Sequence, residues 1–435
     1  MLLHQIHLPH LKHSAESATV ELPLPDKAVI SMAQHIGAPC TPTVAVGDKV
    51  KIGDIIGDND AYMSAPVHAS ISGTVTAITE VLHISGRNMK SVVIESDGKG
   101  EISERVKPPV VNSREDFLKA VRDSGSIGLG GAGFPTHVKL GYDPKTDHPD
   151  YLIINGAECE PYITSDYRCF MEEGEEVLNG VLLILKHLGI PNCIIGIEKN
   201  KPKAIAKMQK LCEPYPNITV KALKSSYPQG AEKTLIFSTT KRIVGAGKLP
   251  LSTGCIVVNS STAAFISQYI KTGMPLVRRR ITVDGNIVGK PANFSAAVGM
   301  SIGEIVYYAE LSDKPDRIIL GGPMMGACAF DIDYPLAKTN NALLLFADTE
   351  KYTQTNCIKC GRCVRACSMN LLPTELETAY DARDAAALEK LNVNLCVNCG
   401  ACSYVCPAKR NLAEKNQLAK AFLRDYNAKN VKEGK

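Results

Sequence analysis

From Ile30 to Ile94, apolar and polar residues alternate in short runs broken by Gly-Asp turns, the pattern of strands with one wet face. Two related half-units, Pro42–Gly57 and Ala65–Ile78, make up this stretch and predict a small sandwich of two sheets. A Pro/Val/Asn/Ser-rich linker at Pro108–Ser113 leads to a predicted helix near Arg114–Asp123. The rhythm then changes. Tyr151–Asn155, Cys193–Ile197, Ile218–Ala222 and Gly254–Val258 are compact apolar runs, while Glu172–Leu188, Lys203–Leu211 and Ala263–Lys271 read as helices. Alternation of β and α at this spacing implies an open, largely parallel sheet covered by helices.

Further on, Arg280–Val288 reads as a hairpin turning tightly at Asp-Gly-Asn. Ser301–Ala309 follows as a helix with Ser301 as N-cap and Glu304 at the capping-box position. Arg317–Leu320 is a strand running into Gly321-Gly-Pro-Met-Met-Gly326, completing a small ββαβ unit of β-grasp type. Ala, Leu and Glu between Pro373 and Leu391 predict one or two helices. The tail beyond Arg410 is helix-prone and then charged, and its Lys-Glu-Gly-Lys end is expected to fray.

A chain of 435 residues is too long for one core and should divide into three or four domains. The boundaries fall at 1–108, 109–276, 277–345 and 346–435. A net charge of +4 is small for this length and gives no reason to expect nucleic acid. The start, Met1 to His7, lacks the basic and apolar regions of a signal peptide. Val177–Ile197 is the most apolar long stretch, but Asn179, Lys186, His187 and Pro191 interrupt it, so it reads as helix plus strand and not as a membrane span. The expected location is the cytosol or the cytosolic face of a membrane.

Eight of the fifteen cysteines carry the strongest chemical signal. They form two runs, Cys357-x2-Cys360-x2-Cys363-x3-Cys367 and Cys396-x2-Cys399-x2-Cys402-x3-Cys406-Pro407. This repeated spacing is that of paired 4Fe–4S clusters, in which the fourth cysteine of each run crosses to the other cluster. One cluster is therefore assigned to Cys357, Cys360, Cys363 and Cys406, the other to Cys396, Cys399, Cys402 and Cys367. Zinc also accepts Cys-x2-Cys pairs, but does not ask for the third and fourth cysteine of each run. Cys40, Cys159, Cys169, Cys193, Cys212, Cys255 and Cys328 lack framework spacing, as expected of reduced, buried thiols.

Gly128-x-Gly130-x-x-Gly133 matches the dinucleotide fingerprint, yet the clear strand follows the loop and Pro135 stands where a helix should open. An ordinary Rossmann assignment is therefore rejected. Adjacent glycines still let backbone N–H groups approach an anion, and Lys139 can add a charge. Asn155-Gly-Ala-Glu158-Cys-Glu160-Pro, Tyr227-Pro-Gln-Gly230-Ala-Glu232-Lys233 and Asn259-Ser-Ser-Thr262 each follow an apolar run. Each alone is readily a turn; together at strand ends they point to one binding edge. No acid–base pair or nucleophile stands out, so no catalytic side chain is assigned.

The glycine loop, the Asn-x-x-Glu-x-Glu-Pro run and the Gly-x-Glu and Asn-x-x-Thr steps resemble the flavin-binding, NADH-oxidising subunit of respiratory complex I. The Ile30–Ile94 segment resembles a biotinyl/lipoyl carrier domain. Its tip, Asp60-Ala-Tyr-Met-Ser64, offers no lysine to modify, which favours a docking or structural role. With two cysteine runs added, the whole resembles the RnfC family, the C-type subunits of Rnf complexes, which are membrane-bound ferredoxin:NAD⁺ oxidoreductases. The resemblance implies a multidomain α/β chain: an N-terminal barrel-sandwich hybrid, a Rossmann-like FMN/NADH domain, an SLBB-like β-grasp domain and a C-terminal helical domain with two ferredoxin-type clusters. It implies FMN held by Gly130, Gly131, Gly133 and Lys139, with Phe134 shaping the entrance. Asn155, Glu158, Glu160, Gly230, Glu232, Lys233, Asn259 and Thr262 would line the flavin and NAD(H) pocket. Departures from complex I are Leu129 for its Arg, Ala157 for its Asp and Lys233 for its second Glu. Implied partners are the membrane and iron–sulfur subunits of an Rnf-type complex, with ferredoxin reached indirectly, and the place is the cytoplasmic face of the membrane. The rival is a soluble flavin/iron–sulfur reductase of another acceptor such as cobalamin, a family in which the glycine loop lies close to the N-terminus.

Overall fold

A computed structural model describes residues 4–432. Met1–Leu3 and Glu433–Lys435, which end the stretches considered for a signal peptide and for fraying, lie outside the described residues. Among the described residues, no helix is long and apolar enough to cross a membrane.

The sandwich begins at Lys27. Lys27–Ser31 pairs antiparallel with Asn88–Ser96, which pairs in turn with Gly73–Leu82. Thr41–Pro42, Ile55–Asp58 and Val67–His68 form the facing sheet. Side chains alternate across a strand, so Ala28 and Ile30 turn inward to meet Ile56, Val67, Ile71 and Ile94 in a closed core. The residues before this sandwich belong elsewhere. Ile6 bridges to Tyr227, and Val20–Glu21 pairs parallel with Phe294–Ser295. The chain thus straps the next two domains before it enters its own.

Arg114–Asp123 is a helix opened by a reciprocal Ser113/Asp116 capping box. The strands Tyr151–Gly156, Asn192–Glu198, Ile218–Leu223 and Cys255–Asn259 form an all-parallel sheet in spatial order third, second, first, fourth. Leu152, Ile153 and Ile154 are all buried, as helices on both faces of a parallel sheet require. The helix expected from Glu172 starts earlier and spans Ser165–Leu188, with non-helical backbone at Glu173. The apolar period runs cleanly only beyond that kink, where Arg280 pairs with Glu173.

Arg278–Asp284 and Ala292–Ala297 are antiparallel, with Val283 opposite Ala292. The expected tight Asp-Gly-Asn hairpin is therefore not formed. Asn286 instead donates to Ala347 O at 2.8 Å and accepts from Ala347 N at 3.0 Å, while Val288 bridges to Leu311. These non-local bonds hold the loop open. Arg278–Asp284 lies parallel to Ala342–Phe346, which pairs antiparallel with Arg317–Leu320. The capping box of Ser301 and Glu304 opens the helix Ile302–Tyr307 as expected. In the C-terminal part, the helices Pro373–Asp381, Ala385–Lys390 and Leu412–Lys432 bury Leu376, Leu388, Ala419 and Leu423.

A glycine-lined cavity beside two cysteine quartets

Asn155 is the last residue but one of the first strand of the parallel sheet and lies opposite Asn259, which ends the fourth. Strand order reverses between them, and open α/β sheets take ligands at that crevice. The glycine loop crosses there. Gly128 N donates to Phe134 O at 2.8 Å and Leu129 N to Thr262 Oγ1 at 3.0 Å, fixing the loop to the helix Ser260–Thr272. Leu129 itself is buried with Ile127, Phe265 and Leu276, so an apolar residue suits a position that faces the core.

A cavity of about 650 Å³ opens at this edge, within the range of cofactor sites. Its wall includes Gly130, Gly131, Phe134, Lys139, Asn155, Glu158, Glu160, Gly230, Glu232, Lys233, Asn259 and Thr262. Gly133 is outside that lining. Its φ of +64° and the lack of room (an added Cβ would lie 2.6 Å from Thr339 Cγ2) explain the glycine. Its carbonyl accepts from Ile36 N at 2.9 Å, so the sandwich braces the loop from behind. Gly131, at φ +104°, faces open space.

The polar side chains divide into scaffold and free groups. Asn155 Nδ2 donates to Gly230 O at 2.9 Å and its Oδ1 accepts from Ala157 N. Asn259 caps its helix and donates to Asp166 at 2.8 Å. Lys139 is ion-paired with Glu232. By contrast, Glu158 Oε2 and Glu160 Oε1 have no hydrogen-bond partner among the described residues, while the other oxygen of each accepts a backbone N–H, from Asp166 and Met324 respectively. Burial raises both carboxyls to about 7, against the opposing pull of Lys12 on each. Glycine backbone, a lysine paired with Glu232 and two carboxyl oxygens without a partner among the described residues are groups that a flavin can use.

Several contributors carried no assignment from the sequence. Lys12 Nζ donates to the carbonyls of Glu158 at 3.0 Å and Glu160 at 2.7 Å, and to that of Ile163. It anchors the turn that bears both glutamates, and burial lowers it to about 8. Nothing in the local sequence marks it. Gly321–Gly326 and Thr339–Asn341 close the cavity from the third domain. The Gly-Gly-Pro-Met-Met-Gly run was the available signal, since Glu160 Oε2 would lie 2.3 Å from a Cβ on Gly322.

The quartets cross. Cys367 lines one hollow with Cys396, Cys399 and Cys402. Cys363 has Cys406 and Cys357 as neighbours, whose charges add to burial in raising its thiol. Burial pushes Cys399 up to about 11 and Cys402 up to about 12, so both stay protonated thiols unless a metal takes up the charge. Among the described residues, no three His, Cys, Asp or Glu side chains converge as they would on a single ion. The thiols instead receive backbone N–H bonds, from Lys359 to Cys357 at 3.4 Å, Leu371 to Cys367 at 3.3 Å and Asn398 to Cys396 at 3.4 Å. Such bonds tune iron–sulfur clusters, and the donor set fits them. Val397 lines both the large cavity and the second quartet's hollow. Cys357 and Cys360 are exposed; outside the quartets Cys328 is exposed too and Cys159 half-buried, where buried thiols were expected.

Three family models match the chain: the RnfC barrel sandwich hybrid domain over residues 3–99, the Nuo51 FMN-binding domain over 121–268 and a 4Fe-4S dicluster domain over 356–410. The C-type subunit of the Na(+)-translocating ferredoxin:NAD(+) oxidoreductase complex of Acetobacterium woodii is 40% identical over 85% of each chain. Its counterpart in the proton-translocating ferredoxin:NAD(+) oxidoreductase complex of Clostridium ljungdahlii is 40% identical over 84% of this chain and 81% of its own. The equivalent subunit of the ion-translocating oxidoreductase complex of Rhodobacter capsulatus is 34% identical over 96% and 82%. Among solved structures, NAD+-reducing [NiFe]-hydrogenase in the H2-reduced state shares the fold, at TM-score 0.51 and 18% identity over 74% of this chain and 67% of that one.

Proposed function

The chain belongs to the RnfC family, the C-type subunits of ion-translocating ferredoxin:NAD(+) oxidoreductase complexes, and we propose that it is the NADH/FMN subunit of such a complex, passing electrons between NAD(H) and partner subunits. When bound, FMN exchanges electron pairs with NAD(H) as hydride and single electrons with 4Fe–4S clusters. The observation that carries this reading is the shared wall: Val397 borders both the glycine-lined cavity and the hollow of Cys367, Cys396, Cys399 and Cys402.

In this reading Gly130, Gly131 and Lys139 hold the phosphate end, while Gly133 keeps the loop in shape. Phe134, Asn155, Gly230, Glu232, Lys233, Asn259 and Thr262 shape the pocket. Glu158 and Glu160, raised by burial to about 7, would hold a proton for a bound flavin at the oxygens that lack a partner among the described residues. Gly321–Gly326 screens water from the cavity. Cys396, Cys399, Cys402 and Cys367 hold the inner cluster, and Cys357, Cys360, Cys363 and Cys406 the outer one. The third domain is read as β-grasp of SLBB type, supported by its central parallel pair, Arg278–Asp284 with Ala342–Phe346. In this reading the protein sits on the cytoplasmic face of the membrane, held there by its membrane and iron–sulfur partners, as its membership of the family suggests.

A soluble reductase of another acceptor is disfavoured by the sandwich, which precedes the glycine loop and braces it through Ile36. The test is a count of FMN, iron and sulfide on the isolated chain, with absorbance followed on adding NADH. FMN with bleaching of the cluster band supports the proposal. Iron without flavin, and no bleaching, contradicts it.

A further inference from the structure

The segments that carry the quartets are one-sided in charge. Residues 351–374 and 396–413 contain Lys351, Lys359, Arg362, Arg365, Lys409 and Arg410, and no Asp or Glu. Arg410 is paired with Glu377, whereas Lys359, Arg362, Arg365 and Lys409 have no carboxylate partner among the described residues. All four are exposed. Arg362, Arg365, Tyr404 and Lys409 line an open hollow of about 640 Å³ whose wall also includes Cys406. Large apolar side chains stand in the same region: Ile358 is 68% exposed, Tyr352 55% and Tyr404 53%. Lys409 Nζ sits 4.1 Å from the centre of the Tyr352 ring, giving the rim a cationic, aromatic character.

Unpaired cations beside a cluster can raise its potential without touching a partner. Tuning alone does not call for exposed aromatic and aliphatic side chains, nor for a concave surface at a cluster ligand. Interfaces combine these features, with Arg and Tyr at their centre and charge guiding encounter. We propose that this hollow docks the acidic face of a one-electron carrier protein, the iron–sulfur subunit of the same assembly, and that electrons enter or leave through the outer cluster there. The proposal rests on the cluster assignment of the preceding subsection and adds to it the docking face and the partner's charge.

The test uses the full chain loaded with FMN and iron, with both contents measured first. The donor probe is photoreduced plant-type 2Fe–2S ferredoxin, which is acidic; the acceptor probe is mitochondrial cytochrome c, which is basic. Transfer from the ferredoxin should fall roughly tenfold or more between about 0.01 M and about 0.15 M salt, as the screening length drops from ~30 to ~8 Å. Lys359→Glu/Arg362→Glu/Lys409→Glu should abolish that preference at low salt and speed transfer to cytochrome c. Reduction of the flavin by NADH, which precedes the clusters, should be unchanged. Lys145→Glu/Lys314→Glu, on other domains, should leave the ferredoxin rate near wild type. Salt-insensitive transfer, or equal effects of both variants, would overturn the docking face while leaving the clusters in place. A chain that cannot hold iron would overturn the cluster assignment itself.

Discussion

The phenol of Tyr227 donates a 2.6 Å hydrogen bond to the carbonyl oxygen of Cys399. Tyr227 lines the glycine-rich cavity, and Cys399 belongs to the second quartet. One side chain therefore ties the two sites together. Tyr227→Phe removes the bond and leaves a partly buried carbonyl without this donor, at a cost of about 1–3 kcal/mol. The expected result is unchanged flavin reduction and a several-fold slower bleaching of the clusters, read at two wavelengths in stopped flow. Equal rates for both steps in variant and wild type would count against a role for this bond.

Glu160 is raised to about 7, chiefly by burial. The unfolded carboxyl titrates near 4.3, so between those values the folded state holds more protons than the unfolded one. Stability of the flavin-free chain should fall as pH rises through this window and level off above about 7. Glu160→Gln keeps an acceptor for Met324 N and removes the titration. The variant should be more stable than wild type at pH 8, by up to about 3 kcal/mol, and similar to it below about pH 4.5. Denaturant unfolding across pH measures this, and parallel curves for the two proteins would refute it.

Lys12→Met leaves the carbonyls of Glu160 and Ile163 without their ammonium donor, leaves that of Glu158 to Lys201 alone, and loosens the turn that carries both glutamates. A loss of about 2–4 kcal/mol is expected from several buried hydrogen bonds. FMN should dissociate more readily on gel filtration, while iron content stays at the wild-type level. Unchanged flavin retention would show that the turn holds its shape without Lys12.

The parallel sheet was legible because runs such as Leu152–Ile154 must be apolar on both faces, a demand written into consecutive residues. The cysteine pairs were legible because ligand spacing is local. What escaped is non-local. Lys12 acts on carbonyls far along the chain, and the Val20–Glu21 strand joins a sheet whose other members lie beyond residue 277. Asn286 illustrates the converse: a strong turn signal loses to two bonds with Ala347. Gly133 has the backbone of a binding-loop glycine but serves packing against Thr339 and the sandwich. The start of the long helix was missed because the kink at Glu173 interrupts its period.

The crossed quartets and the inner position of the second one form the central claim, and a pair of variants addresses both at once. Cys406→Ser should cost the outer cluster, leaving Cys357, Cys360 and Cys363 open to alkylation, while NADH still bleaches the remaining cluster at the wild-type rate. Cys367→Ser should free Cys396, Cys399 and Cys402 instead and cut off NADH-driven reduction of the cluster that remains. Alkylation of Cys357, Cys360 and Cys363 in Cys367→Ser, or fast bleaching without the inner cluster, would contradict the account.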